Sequence, residues 1–307
     1  MFLTVCLNPT IQKTLRFSSV IPGTVNRTGI HRLDVSGKGI NVTRVLTQLG
    51  KKVLHLTQLG GDLRPLFLSL CKQDGLNVEW VESDSQIRFC YTIINESDGS
   101  VTEYVEESEA VDEGTEERLL KEFDSVLYGA ADLKFLIISG TKAAGFSDAV
   151  IPTMVKKAKE KGLKVILDIK GNDLIESLKY QPDVIKPNLF EFASVFAPEL
   201  IKDNDLINEN INIKERIKSI VLEMTHKNKC CIILTNGSKK IYAAKEDNFF
   251  EVDVQPIRAV NSIGCGDAFT AGFTATLETG ANFKNAIEEG MRCGSLNASF
   301  EKPGVIS

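Results

Sequence analysis

The sequence has few of the residues that bind transition metals or form disulfide frameworks. It contains only three His residues, all far apart, and seven Cys residues, an odd number that includes no Cys-X-X-Cys pair. Zinc sites and disulfide-stapled domains both need Cys or His residues at characteristic spacings. The composition therefore argues against both kinds of site, and it favours reduced thiols and a cytoplasmic location.

A basic excess and long apolar runs are also lacking. The net charge is -5 and no run of Lys or Arg occurs, which argues against general nucleic-acid binding. No apolar run is long enough to cross a membrane, and the short run 2–7 leads into Asn8-Pro9, as a first β-strand does and a signal peptide does not. We expect neither nucleic acid nor membrane as a partner, although a local basic cluster could still bind an anionic small molecule.

Strand and helix patterns alternate over most of the chain. This alternation predicts an α/β fold with a mainly parallel central sheet covered by helices on both faces. The predicted strands are 2–7, 52–57, 133–138, 164–168, 183–186 and 229–235. The predicted helices are 40–49, 62–70 with Asp62 as its cap, 115–129, 147–161, one from 172, one after 188, 211–227, 266–279 and 283–300. Residues 203–210 resemble a loop, and 240–256 a hairpin.

Two polar segments, 11–34 and 86–107, interrupt this rhythm. The second alternates polar and apolar residues around Ser97-Asp98-Gly99-Ser100, which is a hairpin signal. We expect both segments to form a small β lid over the carboxyl edge of the sheet, where open α/β folds bind ligands. The whole chain, 1–307, is then one domain, and the edge of the lid could pair with a second copy to form a homodimer.

The most informative stretch is 261–272, in which an extended apolar run passes through two glycines into a helix pattern. Backbone N–H groups at Gly264, Cys265 and Gly266 would converge at the helix N-terminus, where they can stabilise negative charge on a phosphoryl group. Asp267 lies in the first turn and could remove a proton from an attacking hydroxyl. The local pattern is equally compatible with an Asp that only stabilises the helix N-terminus.

A second glycine-rich helix start occurs at 36–50. Lys38 lies between Gly37 and Gly39, and Asn41 follows in the first turn. The residue after Lys38 is Gly39, so the nucleotide-binding P-loop pattern is absent. The flanking glycines could let the backbone approach a ligand, or they could be an ordinary glycine pair at a helix start.

Other candidates are individually weak. Arg88, in the lid segment, suits bidentate recognition of a phosphate but could be a solvated surface residue. Asn188 and Glu191 are three residues apart and could order a water on Mg²⁺, or form a capping box. Thr235 and Gly237 end an apolar strand in a turn near which a nucleotide could lie.

Taken together and in order, these motifs resemble the PfkB (ribokinase-like) carbohydrate kinase family over nearly the whole chain. The stretches 37–41 and 261–269 are similar to the amino- and carboxyl-terminal signatures of the family, and Asn188 with Glu191 matches its Asn-X-X-Glu motif. Residues 7–10, Lys38, Arg88 and 260–262 resemble the branch of 1-phosphofructokinases and tagatose-6-phosphate kinases.

The resemblance implies ATP as co-substrate, Mg²⁺ as cofactor and a sugar phosphate as acceptor. Asp267 would be the base, and Gly264, Cys265 and Gly266 the anion hole. The implied sugar-phosphate site comprises Gln12, Gly37, Lys38, Gly39, Asn41, Arg88 and Asp267. The implied ATP site comprises Lys186, Asn188, Thr235, Gly237, Gly266 and Asn297, with Glu191 binding Mg²⁺ through a water.

The sequence departs from the branch at two positions. Gln12 replaces an acidic residue that grips sugar hydroxyls in the branch, and Phe89 follows Arg88 where a polar residue is usual. An amide can hydrogen-bond to hydroxyl groups but cannot accept as a carboxylate does. The expected activity is phosphorylation of fructose 1-phosphate to fructose 1,6-bisphosphate. The alternatives are a kinase for tagatose 6-phosphate or another sugar or nucleoside, or a non-catalytic sugar-phosphate sensor.

Overall fold

The computed structural model describes residues 1–202, 205–206 and 211–307. These residues form two compact units. Unit 1 comprises Met1–Phe123, Gly140–Phe146 and Ile257–Ser307, and unit 2 comprises Asp124–Ser139 and Ser147–Pro256. The organisation of the whole chain as a single domain stays a prediction.

The elements alternate along the chain much as the sequence predicts. The strands are β1 (Phe2–Cys6), β2 (Thr10–Phe17), β3 (His31–Ser36), β4 (Val53–Gly60), β5 (Val78–Gln86), β6 (Arg88–Asn95), β7 (Ser100–Val105), β8 (Phe135–Ser139), β9 (Lys164–Asp168), β10 (Val184–Ile185), β11 (Ile201–Lys202), β12 (Asp205–Leu206), β13 (Cys231–Leu234), β14 (Ile241–Lys245) and β15 (Asn248–Val252). The α-helices are α1 (Lys38–Gln48), α2 (Arg64–Gln73), α3 (Thr115–Gly129), α4 (Val150–Glu160), α5 (Gly171–Leu178), α6 (Leu189–Phe196), α7 (Ile211–Asn228), α8 (Cys265–Glu278) and α9 (Phe283–Ala298). None of the helices that the structure describes is long and apolar enough to cross a membrane.

In unit 1, strands β1, β4 and β5 pair in parallel, and the two polar segments form a separate four-stranded sheet. Its order is β3-β2-β6-β7, which confirms the predicted small sheet and the hairpin at 97–100. Within it β2 and β6 are parallel, with paired residues such as Thr10 and Arg88 far apart in sequence, a pairing that the local pattern could not reveal. We call this four-stranded sheet the lid sheet.

The two faces of the lid sheet differ in polarity because side chains alternate along each strand. Ile11 and Val35 are fully buried in an apolar core together with Phe67 of α2. Thr10 and Gln12 alternate with Ile11 along β2 and are buried as well, although they are polar. The lid sheet therefore has one apolar face, which anchors it to unit 1, and one buried polar face.

Unit 2 contains strands in the order β15-β14-β13-β10-β9-β8. Strands β8, β9, β10 and β13 are parallel, and β14 and β15 add an antiparallel hairpin at 241–252, within the predicted segment. Fully apolar runs such as Phe135–Ile138 are buried along their whole length, as expected for strands covered on both faces. The mainly parallel sheet flanked by helices is confirmed.

Three local expectations changed. Asp62 does not cap α2, because Leu63 is the N-cap residue and no side chain accepts a hydrogen bond there. Strand β5 was not predicted, because six of its nine residues are polar. The predicted loop 203–210 lies outside the described residues, apart from 205–206, which form β12.

Close contact between helices α8 and α9 depends on glycines. A Cβ on Gly272 would lie 2.6 Å from Cys293 Sγ, and one on Gly290 would lie 2.9 Å from the carbonyl oxygen of Phe269. Neither distance is tolerated by ordinary side chains. The glycines thus let α9 pack directly against the helix that carries Asp267.

The last residues of the chain pack against the start of α8. A Cβ on Gly264 would lie 3.0 Å from Pro303 Cβ, and Gly264 itself has a φ of +82°. Asn297, fully buried in α9, accepts a hydrogen bond from the Gly304 amide at 2.6 Å and donates to the Ile263 carbonyl at 2.8 Å. The Asn297 amide therefore joins the C-terminal tail to the turn before α8.

Substituting Asn297 should weaken this junction. Asn297→Ala leaves the Gly304 N–H and the Ile263 carbonyl without their partner, so we expect the free energy of unfolding to fall by about 1–3 kcal/mol. Urea denaturation measures it. Asn285→Ala, an exposed residue of the same helix, is the control and should change stability by less than about 0.5 kcal/mol. Equal effects of the two substitutions would contradict the assigned role.

Candidate active site

Asp267 lies in the first turn of α8 and is 5% exposed. Its Oδ2 accepts a hydrogen bond from Asn41 Nδ2 at 2.8 Å, and Asn41 belongs to the first turn of α1. The first turn of a helix stabilises a carboxylate through the helix dipole, and the amide of Asn41 adds a direct donor. The two predicted glycine-rich helix starts therefore meet at one carboxylate.

The predicted anion hole lies at the N-terminus of α8. Gly264 is the N-cap residue, and its left-handed φ of +82° strongly favours glycine. Gly264, Cys265 and Gly266 are all half-buried, so a ligand can approach them. The Cys265 amide donates to the Ser262 carbonyl at 3.3 Å, whereas the position of Gly266 in the first turn leaves its amide without an intrahelical acceptor. The turn thus offers N–H groups beside Asp267.

The glycines beside Lys38 have different roles. Gly37 is the N-cap of α1, with a φ of +112°. Gly39 is buried, and a Cβ there would lie 2.8 Å from Cys6 Cβ and 2.9 Å from the carbonyl oxygen of Val5. Gly39 is therefore required for the contact between α1 and β1, and its approach to a ligand stays a prediction. Lys38 is the first residue of α1 and is half-buried.

Arg88 is placed at the start of β6. Its Nη1 donates to the Glu106 carbonyl at 2.9 Å, and its Nε is a buried donor for which the described part of the chain supplies no acceptor. A buried donor without an acceptor costs about 1–3 kcal/mol. A phosphate oxygen would supply that acceptor.

Cys6, which sequence reasoning did not select, marks where several of these residues converge. It ends β1 and lies next to Gly37 and Gly39. Burial raises the pKa of the Cys6 thiol, with Asp267 adding to this increase and Arg88 opposing it. Both charged groups therefore lie within electrostatic reach of one buried thiol, which places Arg88 and Asp267 around the same part of unit 1.

Gln12 is almost fully buried on the polar face of the lid sheet. Its Nε2 donates to Thr92 Oγ1 at 2.5 Å, and it stands opposite Asp34 in the strand register. Burial disfavours the Asp34 carboxylate, but hydrogen bonds from Arg32 and the charge of Lys302 outweigh it and lower the pKa of Asp34. The carboxylate on this face is thus supplied by β3 and is paired within the protein.

The predicted nucleotide residues of unit 2 cluster at strand ends. Asn188, before α6, forms a parallel bridge with Thr235 at the end of β13, and the Leu189 amide donates to the Thr235 carbonyl at 2.8 Å. Gly237 follows in the next turn with a φ of +56°. These three residues lie at the carboxyl edge of the parallel strands, where α/β folds bind ligands.

Asn188 and Glu191 form a capping box. Asn188 Oδ1 accepts from the Glu191 amide at 2.7 Å, and Glu191 Oε2 accepts from the Asn188 amide at 3.0 Å. The capping box, which was the alternative to a metal-binding role for this pair, is therefore present. A carboxylate has about four acceptor positions, so the cap leaves Glu191 able to accept a hydrogen bond from a metal-bound water.

Lys186 is 3% exposed and its Nζ lies 3.1 Å from Asp168 Oδ2. Asp168 ends β9 and is itself buried, so the ion pair is shielded from water. Sequence reasoning missed Asp168, although an Asp that ends a buried parallel strand is a recognisable signal.

The residues present fit Mg²⁺ bound together with a nucleotide better than a dedicated metal cage. Among the described residues, no group of three or more His, Cys, Asp or Glu could hold a metal ion. Mg²⁺ usually keeps several waters and uses only one or two carboxylates plus substrate phosphates. In unit 2, Glu191 is the carboxylate that the sequence assigns to this purpose.

Asn297 is the predicted ATP residue whose placement differs most from expectation. Its side chain is fully buried, and besides Ile263 and Gly304 it donates to Cys265 Sγ at 3.4 Å. It therefore offers ATP no exposed polar group, and we assign it to the packing of the turn before α8.

Comparison with known proteins gives the family. The model of the pfkB family carbohydrate kinases matches residues 5–306. Phosphofructokinase-2 from Escherichia coli, solved in complex with potassium, superposes with a TM-score of 0.86 at 20% identity, covering 100% of this chain and 95% of that one.

Two further structures are similar. A possible 1-phosphofructokinase from Thermotoga maritima has a TM-score of 0.83 at 19% identity, covering 98% of this chain and 92% of that one. Ribokinase from Arabidopsis thaliana, complexed with ribose and ATP, has a TM-score of 0.71 at 17% identity, covering 99% and 94%. These similarities show the fold, and the family match over 5–306 shows that the chain belongs to the pfkB family of carbohydrate kinases.

Proposed function

We propose that the protein transfers the γ-phosphoryl group of ATP to a hydroxyl of a phosphorylated ketohexose, with fructose 1-phosphate as the acceptor. The observation that carries this proposal is the Asp267 carboxylate, held by Asn41 at the N-terminus of α8. Family membership implies ATP as co-substrate.

The chemistry follows from this placement. The oxygen of the acceptor hydroxyl attacks the γ-phosphorus of ATP, and Asp267 accepts the hydroxyl proton. The bond between the γ-phosphorus and the β–γ bridging oxygen breaks, and ADP is released. Charge on the transferred group spreads over its equatorial oxygens. The N–H groups at the start of α8, including that of Gly266, stabilise this charge.

The preference for an acceptor that already carries a phosphate rests on Lys38 and Arg88. Lys38 is half-buried at the start of α1, and the buried Nε of Arg88 lacks an acceptor among the described residues. An Arg fork and a Lys ammonium are the usual pair for binding a phosphate. Gln12 would contact sugar hydroxyls, in a position where its amide can still donate and accept.

Two other activities remain as alternatives. Tagatose 6-phosphate would place its 6-phosphate against Lys38 and Arg88 and would present its 1-hydroxyl as the acceptor. A sensor without catalysis would not require a carboxylate buried beside backbone N–H groups, so the geometry favours an enzyme.

Asp267→Asn tests the proposed base. The amide cannot accept a proton, so kcat should fall by roughly 10²–10⁴-fold, while the Kd for ATP changes less than about twofold. ADP release and calorimetric titration measure the two quantities. Asp62→Asn, an exposed carboxylate of unit 1, serves as the control and should keep its activity. An Asp267→Asn protein that turned over at the normal rate would refute the assignment.

The ATP site in this proposal comprises Lys186, Asn188, Thr235 and Gly237 of unit 2. Mg²⁺, when bound with ATP, would neutralise charge on the phosphates. Glu191 would hold one of its waters, and the Lys186 Nζ atom lies 3.1 Å from Asp168 Oδ2 in the same unit.

Glu191→Gln separates the metal role from the cap. The Gln side chain retains an acceptor for the Asn188 amide, so thermal stability should hardly change. The Mg²⁺ concentration for half-maximal activity should rise by about tenfold. Glu199→Gln, an exposed residue of the same unit, is the control. If the Mg²⁺ concentration for half-maximal activity did not change, Glu191 would act only as a capping residue and the metal role would be wrong.

A homodimer through the lid sheet is part of the proposal. β7 is an edge strand, and its last residues, Tyr104 and Val105, are 61% and 48% exposed. Light scattering should give twice the mass of the chain, and Tyr104→Lys should halve it. Tyr128→Lys, at an exposed residue of unit 2, should leave the mass unchanged. A monomeric wild-type protein would contradict the dimer.

All seven Cys residues are free thiols. Reduced thiols are usual in a reducing compartment, and a cytoplasmic location belongs to the proposal. Recovery of the protein in a fraction other than the cytoplasm would contradict it.

A further inference from the structure

Arg44, in the middle of α1, is a charged residue in the buried part of the helix. It is 4% exposed, and its neighbours Val45 and Leu46 are fully buried. A buried guanidinium is stable only when its N–H groups find acceptors. Where those acceptors lie therefore shows what Arg44 holds in place.

Every N–H group of Arg44 has an acceptor within reach. Nη1 donates to Asn41 Oδ1 at 3.0 Å and to the Pro303 carbonyl at 2.7 Å. Nη2 donates to the Val35 carbonyl at 2.5 Å and lies 2.9 Å from Asp74 Oδ2, which also accepts from Nε. The guanidinium has five N–H groups in a rigid fork, so this set of contacts fixes its position completely.

The contact with Asn41 determines which way the Asn41 amide faces. Arg44 can only donate, so it selects Oδ1 of Asn41 as its partner. The other half of the amide, Nδ2, then faces Asp267 and donates to Oδ2 at 2.8 Å. A flipped amide would set donor against donor at Arg44 and oxygen against carboxylate at Asp267.

We propose that Arg44 is a positioning residue that fixes the Asn41 amide and, through it, the orientation of the Asp267 carboxylate. This inference rests on the proposed role of Asp267 for its catalytic consequence. The consequence for the Asn41 amide does not depend on any activity.

The C-terminal tail strengthens this arrangement. A Cβ on Gly304 would lie 3.0 Å from both Arg44 Nη1 and Asn41 Cα. Gly304 has a φ of +75°, so glycine suits both the conformation and the lack of space. The tail thus lies directly over the Arg44–Asn41 pair.

Arg44→Lys is the discriminating substitution. Lys keeps the positive charge but has three donors on a flexible stem and cannot reproduce the fork. We expect kcat to fall by roughly 10- to 100-fold through misplacement of the base, with KM for ATP changed less than about twofold. In an Asn41→Ala background the same substitution should change kcat less than about twofold, because its effect passes through Asn41.

A spectroscopic measurement makes the test independent of activity. In ¹⁵N-labelled protein, the side-chain NH₂ signals of Asn41, identified by their loss in Asn41→Ala, should exchange slowly with solvent. In Arg44→Lys they should exchange at least tenfold faster. Slow exchange in Arg44→Lys would overturn the proposal even if no substrate were phosphorylated. If Arg44→Lys fails to fold, fast exchange of the Asn41 amide in the wild-type protein overturns it equally.

Two controls separate positioning from general stability. Asp74→Asn weakens the ion pair of Arg44 but leaves its bond to Asn41. Gln48→Ala removes hydrogen bonds to the backbone carbonyls of Gly304 and Arg44 but none to the Arg44 guanidinium. Both should lower thermal stability, yet kcat should stay within about twofold and the Asn41 amide should stay protected. Loss of amide protection in either control at the level of Arg44→Lys would show that Arg44 acts only by stabilising the fold.

Discussion

The hydrogen bond between Asn41 and Asp267 joins two helices that are more than 200 residues apart in sequence. A carboxylate that is 5% exposed loses most of its hydration, which costs several kcal/mol unless donors replace the water. The Asn41 amide and the N-terminus of α8 supply those donors. Helices α1 and α8 must therefore begin close together.

The packing around the first turns of α1 and α8 holds Asn41 and Asp267 in contact. Gly39 brings α1 against β1, Gly272 brings α9 against α8, and Gly264 admits the tail at Pro303. Asn297 then ties the tail to the turn before α8, and Arg44 ties it to α1. The residues around Asp267 are thus fixed by contacts among helices and tail, while the half-buried turn 264–266 stays open to a ligand.

Much of the fold could be predicted because its signals are local. Apolar runs gave the strands, turn residues gave the 97–100 hairpin, and glycine before a helix pattern marked both helix starts that meet at Asp267. Other features depend on tertiary contacts that no local pattern encodes. Leu63 rather than Asp62 precedes α2, Gly39 packs on β1, and the Asn297 side chain is hydrogen-bonded to the C-terminal tail. Arg44 could have been noticed as a charged residue beside Val45 and Leu46 in a predicted helix, but its partners at Pro303 and Asp74 could not.

The account depends on phosphoryl transfer to a sugar that already carries a phosphate. The most direct measurement is ADP release with ATP and Mg²⁺ on fructose 1-phosphate, fructose 6-phosphate, tagatose 6-phosphate, fructose and ribose. The account predicts selective turnover of one phosphorylated ketohexose, fructose 1-phosphate, with little on fructose or ribose. Turnover of an unphosphorylated sugar alone, or of none of the phosphosugars, would contradict it and would remove the role assigned to Lys38 and Arg88.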